Sequence, residues 1–169
     1  MTEVVVNDKM QKDYHYIRTK PVGDEADDFH QHGFQPELTP KEMLASGVFE
    51  GKYLNDCRDE FPQDWFHTKH VTKGKPDIRL NKFGIKSRQS LQTWRKNGWI
   101  VGDDPRGWFQ WYCRYYMGRR TEWDAHQISR WKQFKRHKGQ IVKHCDPHDL
   151  SKRPKQRQAL LQWAYDPSI

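Results

Sequence analysis

DDPRGWFQWYCRYYMGRRTEWDAHQISRWKQFKRHKGQ, residues 103–140, packs aromatic rings and guanidinium groups more densely than any other part of the chain. Two helix starts are legible inside it. Asp104 precedes Pro105, and Thr121 is followed three residues later by Asp124. An N-cap oxygen, a proline in the first turn and an early carboxylate each favour a helix start. Gly118 between them suits a left-handed helix end, so the stretch predicts two helices joined by an arginine-bearing corner. The first, over Pro105–Met117, is apolar on most sides through Trp108, Phe109, Trp111, Tyr112, Cys113, Tyr115 and Tyr116. Only Arg106, Gln110 and Arg114, four apart, form a polar stripe, and a helix of that kind is normally buried in the middle of its domain. The second, over Glu122–Lys138 and ended by Gly139, gathers Trp123, Ile128, Trp131 and Phe134 on one arc, with Lys132 and Arg136 beside it and Lys135 at the border.

Working outward, TPKEML predicts a short helix capped by Thr39, with Pro40 and Glu42 in its first turn and Gly47 at its end. A second is expected over Lys52–Glu60, which would place Asp56, Asp59 and Glu60 on one side. Residues 67–86 read as a loop, with room for one small extended element near Arg79–Ile85. A helix over Ser87–Asn97 would be capped by Ser87 and closed by Gly98, with Trp99 and Ile100 packing back onto it. A last helix opens at Arg153-Pro154, buries Leu160, Leu161, Trp163 and Ala164, and stops at Pro167. Before residue 34 the chain is polar apart from Val4–Val6, which reads as one short strand, and it carries the acidic run Gly23–Asp28. Low hydrophobicity with clustered charge predicts a flexible arm over residues 1–33. The fold expected is therefore mainly α: one compact helical domain over residues 34–169, built around a buried aromatic helix.

Only 34% of the 169 residues are hydrophobic while 31% are charged, so eight Trp, eight Phe and seven Tyr must supply the core. The net charge of +8 is unevenly spread. Residues 1–60 hold seven Lys/Arg against thirteen Asp/Glu, and residues 61–169 hold twenty-three against nine. A basic body behind an acidic lead segment predicts a polyanion partner. Cys57, Cys113 and Cys145 are far apart and odd in number, which argues against a disulfide framework and for a reducing, cytoplasmic setting. The start lacks the basic and apolar regions of a signal peptide, no run is long enough to span a bilayer, and no glycine-rich phosphate loop is present.

The function these features predict is DNA or RNA binding through Arg95, Arg106, Arg114, Arg119, Arg120, Arg130, Lys132, Lys135 and Arg136. Guanidinium groups contact phosphates and aromatic faces stack on exposed bases. Backbone or single-strand contact is more natural than groove readout, because an almost wholly apolar helix cannot read a groove. A rival reading is an enzyme acting on nucleic acid or nucleotides, a nuclease or base glycosylase, using Asp56, Asp59, Glu60 or Asp104, with Mg²⁺ if it is a nuclease. Arg58 lies among those acids, so structural ion pairing competes with catalysis. A third reading is an interaction protein docking an acidic protein. His144, Cys145 and His148, with His126 and His137 upstream, lack the spacing of a zinc site, so no metal or other cofactor is expected. Cys113, inside the most apolar helix, reads as packing rather than a nucleophile.

From Thr39 to Asp166 the chain also resembles a family of small uncharacterised Trp/Arg-rich proteins of bacteria, their phages and some fungi. The resemblance rests on TPKEML, GVFEGKY, DCRDEFP, Trp94-Arg95, GWI, DDPRGWFQWYCRYYMGRR, Arg130-Trp131 and RQALLQWAYD, and covers about three-quarters of the chain. It implies no activity, catalytic residue or cofactor, and the segment before Phe34 lies outside it.

Overall fold

The structure, a computed structural model, describes residues 1–54 and 56–169. Asn55, inside the helix expected over Lys52–Glu60, lies outside the described residues. The expected fold class is observed: the described residues form five α-helices, one two-stranded antiparallel sheet and a large buried aromatic cluster. The chain divides into two compact units, neither of them contiguous in sequence. The first comprises Met1–Gln35, Leu54–Asp64 and Gln89–Ile128; the second comprises Pro36–Tyr53, Trp65–Arg88 and Ser129–Ile169. The division therefore does not fall at residue 33, where the sequence placed it.

In the first unit the supposed flexible arm is a built part of the structure. Strands β1 (Thr2–Val6) and β2 (Tyr14–Arg18) pair so that Val6 faces Tyr14 and Val4 faces Tyr16. Alternation sends Val6 and Tyr16 into the interior while Glu3, Val5, His15 and Ile17 stay exposed. Beyond the hairpin, Phe29 and Phe34 are buried against helix α3 (Trp108–Tyr116), with Phe34 about equidistant, 5.5–5.6 Å, from the rings of Trp111, Tyr112 and Tyr115. Burying each such ring stabilises by roughly 1.5–3 kcal/mol. The arm also answers the open carbonyls at the end of α3, since the N–H of Ala26 donates to Tyr116 O at 3.0 Å and that of Lys20 to Met117 O at 3.4 Å. Composition could not show this, because a segment poor in aliphatics can dock through a few well-placed side chains, here Val6, Tyr16, Ala26 and Phe29.

Helix α3 is buried as expected, but it starts later than the proline suggested. Its N-cap is Gly107, at φ 100°, and Asp104–Gly107 form a turn closed by the Gly107 N–H to Asp104 O bond of 3.0 Å. The polar handles of the buried rings are satisfied: Trp111 Nε1 donates to Asp124 Oδ1 at 2.9 Å, Trp108 Nε1 to Gln127 O at 3.0 Å and Tyr115 OH to Phe29 O at 2.9 Å. Helix α2 (Leu91–Lys96) is shorter than expected because Ser90, not Ser87, accepts the capping bond from Thr93 N. Asp56, Asp59 and Glu60 share no helix; the chain there makes only a 3-10 turn at Arg58–Glu60.

In the second unit, helix α1 (Pro40–Ser46) carries the full reciprocal capping box between Thr39 and Glu42, and Gly47 ends it at φ 105°. The next turn, Phe49–Gly51, is left-handed throughout, with φ of 54°, 55° and 75°. Its backbone pins the 67–86 loop, with Asp77 N donating to Glu50 O and Thr72 N to Gly51 O, both at 2.9 Å. Where an extended element was expected near Arg79–Ile85, the structure has a 3-10 turn at Ile78–Leu80. Helix α5 (Pro154–Leu161) adds buried Arg157 and Gln158, with Gln162 buried just past its end. Gln158 bridges Gly47 O and Phe83 N at 3.1 Å each, and Arg157 donates to the main-chain oxygens of Asp149, Lys152, Pro167 and Ile169.

Helix α4 (Asp124–His144) contributes its first five residues to the first unit and the remainder to the second. It does not stop at Gly139. The apolar spacing Ile128, Trp131, Phe134, Ile141 continues through the glycine at helical period, and Ile141 is buried while Val142 is exposed. Trp131 stacks on Tyr165 at 5.1 Å and Phe134 on Trp163 at 4.9 Å. A Cβ at Gly139 would meet nothing within 4 Å. Gly139→Ala is therefore expected to raise stability by about 0.5–1 kcal/mol, measured by urea denaturation, because alanine loses less backbone entropy in a helix. A loss would mean that the helix is interrupted there.

Candidate nucleic-acid interface

Four of the nine cations assigned to a nucleic-acid face are consumed inside the first unit. Arg114 lies on the inward side of α3, fully buried, and all five of its N–H groups are used. Nε and Nη2 grip Glu60 at 2.7 and 2.9 Å, Nη1 reaches Asp104 Oδ1 at 3.1 Å and Asp103 O at 3.0 Å, and Nη2 also donates to Gln11 Oε1 at 2.8 Å. Arg119 takes the other side of Asp104 as a two-pronged pair, at 2.7 and 2.6 Å, and donates to Tyr14 OH at 3.2 Å. Arg106 clasps Asp56 at 2.9 and 3.2 Å and Asp8 at 3.2 Å. Arg120 pairs with Asp28 while its guanidinium lies 3.7 Å from the centre of the Tyr115 ring. The rings of Tyr14 and Tyr16 close over Arg114 at 5.2 and 5.5 Å.

The electrostatics follow from this packing. Burial pulls the Arg114 and Arg119 guanidiniums down, but Glu60 and Asp104 respectively more than offset it, so both are held above the ordinary arginine range and stay charged. Tyr16, buried and donating to Glu60 Oε2 at 2.6 Å, is held well above its ordinary value. These groups form a structural ion network closed to water. The reading of Arg106, Arg114, Arg119 and Arg120 as phosphate ligands is corrected accordingly: two-pronged pairing with carboxylates satisfies the geometry that a phosphate would use.

The acids proposed for catalysis are spent in the same way. Asp104 is buried between two arginines rather than capping α3, Glu60 holds Arg114 and Tyr16, and Asp56 holds Arg106; Asp59 is exposed. Glu60 and Asp104 meet across the Arg114 guanidinium, and among the described residues no three His, Cys, Asp or Glu side chains converge to hold a metal ion such as Mg²⁺. His137 Nδ1 instead meets Gln156 Nε2 at 2.9 Å, and His148 Nδ1 meets Ser168 O at 2.6 Å. Burial pushes the Cys57 thiol up to about 12 and Cys113 well above its ordinary value, which disfavours the thiolate a nucleophile requires.

The remaining cations sit differently. Arg95 is exposed in the last turn of α2. In the second unit Arg130 is half-buried, 5.5 Å from the centre of the Trp163 ring, with desolvation lowering its pKa. Lys132, Lys135 and Arg136 are exposed. Because α4 runs on to His144, it adds Lys143, which the sequence reading left out by ending the helix at Gly139. The buried Ile141 is the signal that could have found it. At about 100° per residue Lys132, Arg136 and Lys143 fall within roughly 40° of one another, along roughly 16 Å of helix. Lys135, Arg136 and Lys143 carry no ion pair among the described residues.

Charge divides between the units. The first holds 11 Lys/Arg against 15 Asp/Glu, a net of −4; the second holds 19 against 7, a net of +12. Fifteen of those 19 cations are exposed, thirteen of them on α4, on the 67–86 loop and around the start of α5. No helix among the described residues is long and apolar enough to cross a membrane. Comparison of the chain with protein-family models, with curated proteins and with solved structures finds no match.

Proposed function

We propose that this protein binds the phosphate backbone of nucleic acid through its second unit, with the outer side of α4 as the central contact. The observation that carries the reading is the net of +12 on that unit, most of it exposed, whereas in the first unit Arg106, Arg114, Arg119 and Arg120 are neutralised by that unit's own acids. Arg136 and Lys143 stand on the side of the helix opposite the stacked rings of Trp131 and Phe134, with Lys135 at the border of the ring-bearing arc, so they project from a firm support. Duplex DNA presents a phosphate about every 3.4 Å per strand, so roughly 16 Å of helix matches the backbone of about five nucleotides. Binding of this kind is sequence-tolerant and salt-dependent.

Fluorescence anisotropy with labelled single-stranded and duplex DNA and RNA over a salt series tests it. The logarithm of the binding constant is expected to fall linearly with the logarithm of salt concentration. Lys135→Ala/Arg136→Ala/Lys143→Ala is expected to make the duplex slope shallower by roughly 2–3, since each phosphate contact contributes about 0.9. Binding that ignores salt, or a triple variant that binds as the parent does, would refute the assignment.

A further inference from the structure

Helix α2 ends in a device that fixes one indole at the surface. Gly98 takes φ 70°; its N–H donates to Arg95 O at 3.1 Å, and the N–H of Trp99 donates to Trp94 O at 2.9 Å. These are the two bonds of a Schellman ending, which brings the residue after the glycine against the residue five places before it. Here that pair is Trp99 and Trp94, whose rings meet at 5.5 Å and 83°. Trp94 is half-buried, but Trp99 remains 42% exposed and is the only exposed tryptophan among the described residues.

The surroundings of Trp99 are cationic. Arg95 and Lys96 are exposed in the last turn of α2 and carry no ion pair among the described residues, and residues 89–102 contain no Asp or Glu. Every other Trp, Tyr and Phe of the first unit is less exposed than Trp99.

We infer that Trp99 is a stacking platform for an unpaired nucleobase, with Arg95 and Lys96 receiving the flanking phosphates; the ligand class is single-stranded nucleic acid. The inference rests on the proposed polyanion binding and adds strand state to it. A protein partner fits less well, because a stable interface needs about 800 Å² from each side and a single exposed ring supplies only part of that. A base needs part of one indole and a neighbouring cation, and Trp99 is 42% exposed at the helix end that carries exposed Arg95 and Lys96. Base–aromatic stacking accepts any base, and the hydrogen-bonded helix end holds the indole in place before the ligand arrives.

The test uses the full chain, a labelled single-stranded oligonucleotide and an abasic strand of the same length. The parent protein is expected to prefer the base-bearing strand. Trp99→Ala is expected to weaken binding of that strand by roughly 5- to 150-fold while leaving abasic binding unchanged, and Trp99→Phe to restore much of the difference. Arg95→Ala/Lys96→Ala should flatten the salt slope for both strands by roughly 1. Equal binding of the two strands by the parent, or no change in Trp99→Ala, overturns the stacking inference and leaves salt-dependent binding standing. A parent that binds neither strand nor duplex at low salt overturns both readings. Loss of self-association in Trp99→Ala without any change in strand preference would assign the indole to a contact between copies and overturn the stacking role.

Discussion

Asp104→Ala is expected to lower the unfolding free energy by about 3–5 kcal/mol in urea denaturation, a large share of the roughly 5–15 kcal/mol that holds a domain folded. Asp104 is buried and shared: one oxygen serves Arg114 and Arg119 together and the other serves Arg119 alone. Truncation leaves Arg114 with Glu60, but it strips Arg119 of its carboxylate and leaves that guanidinium with Tyr14 OH and the Tyr16 ring 5.8 Å away. Removing one partner from a buried ion network costs far more than the network contributes over an apolar replacement, because an uncompensated charge stays behind. Asp104→Asn, which keeps one acceptor oxygen, should lose less. Adding Arg119→Met to Asp104→Ala should recover much of the loss, and the double-mutant cycle measures the coupling. The effect should also be nearly independent of salt, since buried pairs are poorly screened. A loss below about 1 kcal/mol would mean that water reaches Arg119 and that the network is open.

Gly47→Ala is expected to cost about 3 kcal/mol or more, seen as a fall of roughly 10 °C in Tm. At φ 105° the backbone is in a region that L side chains rarely adopt. A Cβ there would lie 2.4 Å from Leu80 O and 2.9 Å from Lys82 N. Both are main-chain atoms, and neither can withdraw cheaply: Lys82 N–H donates to Gly47 O at 3.0 Å, and Gln158 Nε2 donates to the same oxygen at 3.1 Å. Gly98→Ala is the control. It too has positive φ, 70°, but its Cβ would meet nothing within 4 Å, so only the conformational term of about 1 kcal/mol should appear. Equal losses in the two variants would show that the close approach of residues 80–82 is not maintained in solution.

Asp104 illustrates how the same residues can be read correctly for structure and wrongly for role. Asp104-Pro105 carries the signals of a helix start, and a helix does follow. The stronger demand on that carboxylate comes from arginines ten and fifteen positions further along, which no local rule weighs. Arg114 in turn takes Glu60 from 54 residues away and Gln11 from 103. A guanidinium on a helical stripe has the same local signature whether it faces water or a carboxylate delivered by distant chain. The exposure of Trp99 and the extension of α4 to Lys143 differ in kind. Gly98 and the apolar period through Ile141 are both in the sequence, but a glycine carries the same local signature at a helix end, as Gly98 does, and inside a helix, as Gly139 does.

The amino-acid order alone determined the mainly helical class, the burial of the aromatic helix at residues 108–116, the Thr39–Glu42 cap and the Gly98 ending, because each depends on side chains within a turn or two of one another. Tertiary structure decided which charges remain available. It folded the leading segment onto α3 and closed Arg106, Arg114, Arg119 and Arg120 against acids from elsewhere in the chain, leaving the basic excess to the second unit. The physical reason is range: caps and helical period act over a few residues, whereas burying a charge depends on a partner that only the folded chain can bring to it.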